Sequence, residues 1–368
     1  MKVLIDTFPL LVRSAGVKNY LYHWVAALRR TAPVGAIGTL PATGNGAELN
    51  HDRSAAGAWA TYKNLAALAI ANHTSLPLLD RLAGKADIFH VSSLVRNPPR
   101  RPLLTATLHD LTTWTMPELH LAANRRADNQ LADNLRRAHG IITVSEATRQ
   151  DAIRLLHLPP EKMVTIHSGV AGAFFDVPAV SVAEVRARYR LERPFILFVG
   201  TIEPRKNVSG LVNAYRALPA SLKEEFELVV AGPMGWVDAA TAELVRSVRY
   251  VGYVPERDIA ALTAAAAVFA YPSLYEGFGF PVAQAMASGV AVVTSNVSSL
   301  PEIAGDAAEY VDPRSVESIR QVLEKVLESA DLRLVLGQRG RKRAENYRWE
   351  ICAARTWDFW KGLGKGTA

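Results

Sequence analysis

Short apolar runs recur along this chain, separated by longer stretches whose apolar positions fall three and four residues apart. In the first half the runs occupy residues 3–6, 88–91, 103–108 and 140–144, with helical spacing over about 19–30, 60–83, 122–138 and 146–156. The second half repeats the scheme with runs at 195–199, 226–231, 250–253, 268–271, 290–294 and 309–311. Strands that alternate with helices predict parallel sheets flanked by helices, an α/β architecture. The rhythm lapses over 170–193, which carries a short helix and Pro178 and ends in Arg193-Pro194 before a new strand. The domain boundary is placed there. The expectation is two doubly wound, Rossmann-like domains, 1–175 and 190–345, facing each other across a cleft, and a terminal segment 346–368 with an aromatic-rich helical pattern.

With 368 residues, 40.1 kDa and 49% hydrophobic residues, the chain can build two ordinary cores and is not disordered. No apolar run approaches the ~18 residues that a membrane span requires, and the apolar start is too short for a signal peptide, so cytosolic residence is expected. A single cysteine, Cys352, agrees with a reducing compartment. Residues 1–180 hold 19 Lys/Arg against 13 Asp/Glu, a net +6 of the chain's +7. Arg96, Arg100, Arg101, Arg125, Arg126, Arg136 and Arg137 make much of that excess. They form either a solvated basic face or an approach to anionic lipid headgroups or a diphosphate-bearing acceptor. Nucleic acid is disfavoured, because no aromatic stacking array accompanies the basic residues and no reader motif is present.

Candidate chemistry gathers at the carboxyl ends of strands, where open α/β sheets bind ligands. The stretch YPSLYEGFGFPVAQAMASG, 271–289, puts Glu276 just past one strand, with Pro281 suited to a first helical turn and Gly289 to a helix stop. The amides of Gly277, Phe278, Gly279 and Phe280 precede that helix. A carboxylate beside such donors suits a polyhydroxylated anionic ligand, which points to a sugar nucleotide. Gly200 ends another strand and leads into TIEPRKN, whose Arg205 and Lys206 suit a diphosphate: a guanidinium gives a bidentate fork and an ammonium a compact charge. His109-Asp110 follows a third strand, and its imidazole can orient a sugar, although a lone histidine is more often structural. His90, His139 and His167 are read as structural, and Ser145 as a helix cap. Gly16 lies in the loop after the first strand, where a glycine allows close backbone approach to a phosphate or simply makes a turn. Gly252-Tyr253-Val254-Pro255 is ordinary turn chemistry by itself. The absence of D-x-D, H-E-x-x-H or a cysteine cluster argues against a metal, which leaves protein cations to stabilise a leaving group.

The segment at Glu276, EPRKN at 203–207 and His-Asp-Leu at 109–111 together resemble the retaining GT-B glycosyltransferases of family 4, most specifically over 195–313 and most like bacterial mannosyltransferases. The second glutamate of the family's E-x7-E segment is Gln284 here, which can accept one hydroxyl bond and donate another but carries no charge. The resemblance implies Glu276 and the amides after it on the donor sugar, Arg205 and Lys206 on its diphosphate, and Gln284 on its ribose. It further implies Tyr253 and Val254 framing the nucleobase, Gly200 and Gly16 near phosphate, and His109 near the sugar's primary hydroxyl. A terminal helix that crosses back to the first domain is implied, as is a metal-free reaction with retention of configuration. The favoured donor is GDP-mannose, with a UDP-sugar such as UDP-glucose as the alternative. A saccharide acceptor linked to polyprenyl diphosphate would place the enzyme peripherally at the inner face of the cytoplasmic membrane, through its basic first domain, in polysaccharide or O-antigen assembly. A sugar-nucleotide epimerase and a non-catalytic sugar-nucleotide binder stay open as rivals.

Overall fold

A computed structural model of the protein describes residues 1–12, 16–42, 54–74, 77–119 and 122–365, with the side chains of 122–128 and 365 outside that description. The chain divides into two compact units, Met1–Gly169 with Trp349–Ala368, and Val170–Arg348.

Six parallel strands form the sheet of the first unit: β1 (Val3–Asp6), β2 (Ile37–Leu40), β3 (Ile88–Val91), β4 (Leu103–Leu108), β5 (Gly140–Thr143) and β6 (Met163–Thr165), in the order β2-β1-β3-β4-β5-β6. The second unit has β7 (Phe195–Val199), β8 (Glu227–Ala231), β9 (Arg249–Gly252), β10 (Val268–Tyr271), β11 (Ala291–Ser295) and β12 (Ala308–Val311), all parallel, in the order β12-β11-β10-β7-β8-β9. Its chain starts in the middle, winds outward through β8 and β9, then returns to lay β10 on the other side of β7. That reversal between β7 and β10 is a topological switch point, where helices on opposite faces leave a crevice at the carboxyl ends. Leu197 pairs with Phe269 and each strand runs two residues further, so Val199 and Tyr271 end side by side. The apolar runs are buried because helices cover both faces: Phe195, Ile196, Leu197 and Phe198 have no exposed surface.

Several expectations are corrected. β2 and β6 carry no prior signal: β2 is interrupted by Gly38 and β6 has only three residues. The helical stretch over 60–83 is two helices, Ala58–His73 and Leu78–Ala83, with Pro77 at the start of the second. Gly16 is the exposed first residue of the helix Gly16–Thr31 rather than a loop residue, and Arg13 to Ala15 before it lie outside the described residues. The boundary at Arg193-Pro194 falls inside the second unit, which begins at Val170. The helix Ala179–Arg188 belongs there because Arg188 pairs with buried Asp258, to which the Tyr189 hydroxyl donates at 3.1 Å. In the first unit the terminal helix Trp349–Lys365 packs on Gly16–Thr31, where Trp24 Nε1 donates to Thr356 Oγ1 at 3.2 Å and the Trp24 and Trp360 rings meet at 5.6 Å.

Candidate active site

Two loops of the second unit, one after β7 and one after β10, are tied together at the switch point. Gly200 and Gly232 close their strands with φ of +154° and +138°, and a Cβ on Gly232 would lie 2.0 Å from the Gly200 carbonyl oxygen. After a single turn at Pro204–Lys206, Asn207 adopts a left-handed conformation, and its Nδ2 donates to the carbonyls of Pro272 at 3.1 Å and Pro313 at 2.6 Å. The Leu274 amide donates to the Arg205 carbonyl at 2.8 Å. These bonds bring Arg205 and Lys206 onto Glu276, about seventy residues further along the chain.

The result is a chain of ion pairs whose carboxylates are buried and whose cations are half-buried. Lys206 Nζ stands 2.6 Å from Glu276 Oε1 and 5.2 Å from the Tyr271 ring centroid. Arg205 Nη1 lies 3.1 Å from Glu276 Oε2 and donates to the Tyr275 carbonyl at 2.7 Å, while Nη2 pairs with Glu203 Oε1 at 2.7 Å. Ser273 Oγ, 2.7 Å from Glu276 Oε1, donates to it. Behind the carboxylate, the Glu276 amide donates to Ser298 Oγ at 2.9 Å and Ser299 Oγ donates to the Glu276 carbonyl at 3.0 Å, which pins this loop to the one after β11. Burial works against ionisation of Glu276, yet Arg205 and Lys206, aided by the Ser273 bond, hold its carboxyl down at about 2. Burial and the neighbouring Arg205 push Lys206 below its ordinary value, against the pull of Glu276.

The two cations expected to clamp a diphosphate are therefore already paired with carboxylates, and the four charges of Glu203, Arg205, Lys206 and Glu276 sum to zero. An ammonium has three donors, and Lys206 commits one of them to Glu276. Gly277, Phe278 and Gly279 are buried beside Glu276, with Gly279 at φ +94° leading into the helix Phe280–Ala287. Gln284 sits half-buried in the second turn of that helix, its side-chain amide without a hydrogen-bond partner among the described residues. Tyr253, 41% exposed, and buried Val254 follow β9, the strand next to β8. Glu203, Ser273, Ser298 and Ser299 had no sequence signal of their own; EPRKN contained the first, and the serines look like ordinary loop residues.

His109 and Gly16 belong to the first unit. His109 follows β4, half-buried, with its ring edge-on to Tyr20 at 4.7 Å, and no hydrogen bond to its imidazole exists among the described residues. Burial pushes it down to about 4, against the pull of Asp110, so it is neutral at physiological pH. Asp110 instead caps the next turn, accepting from the Thr112 amide at 3.0 Å and hydroxyl at 2.6 Å. His90 has both ring nitrogens engaged, each 3.0 Å from a threonine hydroxyl, Thr105 or Thr107, and His139 Nδ1 accepts from the Leu104 amide. At the first unit's own switch point, between β1 and β3, burial raises Asp6 to about 6 despite bonds from Ser92 and the Phe8 amide.

Two doubly wound units, one with a cation-and-carboxylate cluster at its switch point, define the class of GT-B glycosyltransferases. Sequence comparison agrees: the model for "Glycosyl transferases group 1" matches residues 183–343 and that for "Glycosyltransferase Family 4" matches 15–171. The O-antigen chain mannosyltransferase B of Escherichia coli is 36% identical over 274 residues, 72% of this chain and 72% of that protein. The serotype-specific mannosyltransferase WbdA of Escherichia coli is 33% identical over 257 residues, 66% of this chain but only 31% of that longer protein. The solved structure of Anabaena HepE in complex with UDP-glucose shares the fold, with a TM-score of 0.72 at 16% identity over 98% of this chain and 100% of that one. The chain belongs to glycosyltransferase family 4, and with that membership come a nucleotide-sugar donor and a saccharide acceptor.

Proposed function

We propose that the protein transfers a mannosyl group from GDP-mannose, with retention of configuration, to a saccharide acceptor carried on polyprenyl diphosphate, in polysaccharide or O-antigen assembly. The observation that carries this reading is the Arg205–Glu276–Lys206 cluster at the ends of β7 and β10, in a chain 36% identical to an O-antigen mannosyltransferase.

In this reading Glu276, ionised at every working pH, accepts from hydroxyls of the donor sugar, and the amides of Gly277 to Gly279 donate to its oxygens. Arg205 and Lys206 turn part of their donor capacity to the diphosphate as it leaves, so that negative charge develops against fixed positive charge. The departing phosphate oxygen removes the proton of the acceptor hydroxyl on the same face of an oxocarbenium-like sugar. Neutral His109 orients the sugar through a hydrogen bond, Gln284 meets the ribose, Gly200, Tyr253 and Val254 frame the nucleotide, and Gly16 is assigned to phosphate. The reading places the protein peripherally at the inner face of the cytoplasmic membrane; no helix among the described residues is long and apolar enough to cross a bilayer.

The test is turnover of GDP-mannose and UDP-glucose with a polyprenyl-diphosphate saccharide, the product's anomeric configuration being read by NMR. Mannosyl transfer with the donor's configuration is expected. Transfer from UDP-glucose alone, an inverted product, or donor binding without turnover would each overturn the proposal in a different part.

A further inference from the structure

The first unit contains a cavity of about 630 Å³ that is separate from His109. It is lined by the end of the helix Ala58–His73, the start of the helix Leu78–Ala83, the connection from β3 to β4, and Arg137. Arg100 lies three residues before β4 and Arg137 three before β5, so the cavity opens at the amino ends of these strands. His109 follows the opposite end of six-residue β4, about 20 Å away at roughly 3.3 Å per residue.

Three arginines line this concavity, Arg96, Arg100 and Arg137, and none of their guanidinium groups has a hydrogen bond or ion pair among the described residues. Most surface arginines behave as a solvated face, and many here pair locally, as Arg136 does with Asp133 and Arg320 with Glu317. These three differ because their backbones are fixed while their heads are not. The Arg96 amide donates to Asn72 Oδ1 at 2.8 Å, Asn97 Nδ2 to the Ala71 carbonyl at 3.0 Å, and the Arg100 amide to Asp80 Oδ1 at 2.7 Å. Among the described residues Asp80 is the one carboxylate in the lining, which gives those residues an excess of two positive charges.

We propose that this cavity binds a phosphate or diphosphate group through the guanidinium forks of Arg96, Arg100 and Arg137. The group comes from an anionic lipid headgroup or from a soluble diphosphate. The lipid source is favoured by the helix whose end lines the cavity: Trp59 and Tyr62, 77% and 69% exposed and stacked at 6.2 Å, lie along one stripe with half-exposed Ile70. The anion chemistry needs neither the donor nor the transfer reaction assigned above.

The experiment compares the full chain with Arg96→Ser/Arg137→Ser, both exposed positions, and with a charge-matched control, Lys2→Ser/Arg30→Ser. Inorganic pyrophosphate binding is measured by calorimetry with saturating GDP present to occupy the donor site, and co-sedimentation is measured with vesicles of phosphatidylcholine alone or with phosphatidylglycerol. The cavity variant should bind pyrophosphate about tenfold more weakly, the size expected for lost charge-assisted bonds. Loss of phosphatidylglycerol binding as well assigns the group to a lipid; its survival assigns it to a soluble diphosphate. Mannosyl transfer to a water-soluble acceptor should be unchanged in the cavity variant, so the two proposals fail separately. Pyrophosphate binding equal to wild type, or weakened equally in the control, overturns the cavity assignment.

Discussion

Glu276 shows how one side chain sets both stability and chemistry. Its carboxyl is lowered from an ordinary 4.5 to about 2, so the ionised form is the one the fold favours. The stability it contributes is complete above about pH 4.5 and is lost as pH falls towards 2; a difference of that size is roughly 3 kcal/mol, reduced by the opposing cost of burying charged Lys206. Urea unfolding from pH 6 to 2.5 should show that acid limb in the wild type and a flatter one in Glu276→Gln. The same variant leaves half-buried Lys206 without its carboxylate and Arg205 with Glu203 alone, and should lose about 1–3 kcal/mol at neutral pH. His109, lowered to about 4, gives a different expectation: the pH profile of kcat/KM should show no inflection from it between about pH 5.5 and 9, while His109→Ala should lower kcat roughly tenfold or more through a lost hydrogen bond. An inflection near 6.5 that disappears in His109→Ala would contradict its neutral state. That Arg205, Lys206, Glu276 and His109 follow strand ends was legible because each comes just after an apolar run. The pairing of both cations with one carboxylate was not, because it depends on the β7–β10 register.

At the scale of elements, the switch point depends on glycines where strands end against each other. Gly232→Ala would drive a methyl against the Gly200 carbonyl at 2.0 Å, backbone against backbone, at a φ that alanine rarely adopts. It should lower stability by about 1–3 kcal/mol and weaken nucleotide binding, read by thermal shift with and without GDP. Gly252→Ala, with φ of +70° but open space around its Cβ, should destabilise less. Unbroken apolar strands such as β7 and β10 were legible with their boundaries intact because burial on both faces leaves a continuous run. β2 and β6 were not, because a four-residue edge strand broken by a glycine and a three-residue edge strand carry too little periodicity to stand out from loop.

For the molecule as a whole, two α/β halves could be read from the alternation of runs, but the division between them could not. Arg193-Pro194 looks like a linker, whereas the second unit begins at Val170; the terminal helix, which the family resemblance implied would cross back, packs in the first. Packing decides that grouping: Trp360 is fully buried against Trp24, and Gly140 lets Phe359 approach to where a Cβ would stand 2.6 Å away. Trp360→Ala should cost about 3–5 kcal/mol, seen as unfolding of the first unit at lower denaturant than the second. The central claim is that the cluster at the ends of β7 and β10 holds the donor's diphosphate, and it is tested most directly by calorimetric titration of GDP-mannose into the wild type, Arg205→Ala and Lys206→Ala. The wild type should bind and each variant should bind at least about tenfold more weakly, in line with a lost charge-assisted contact to phosphate. Undiminished binding in both folded variants would contradict it.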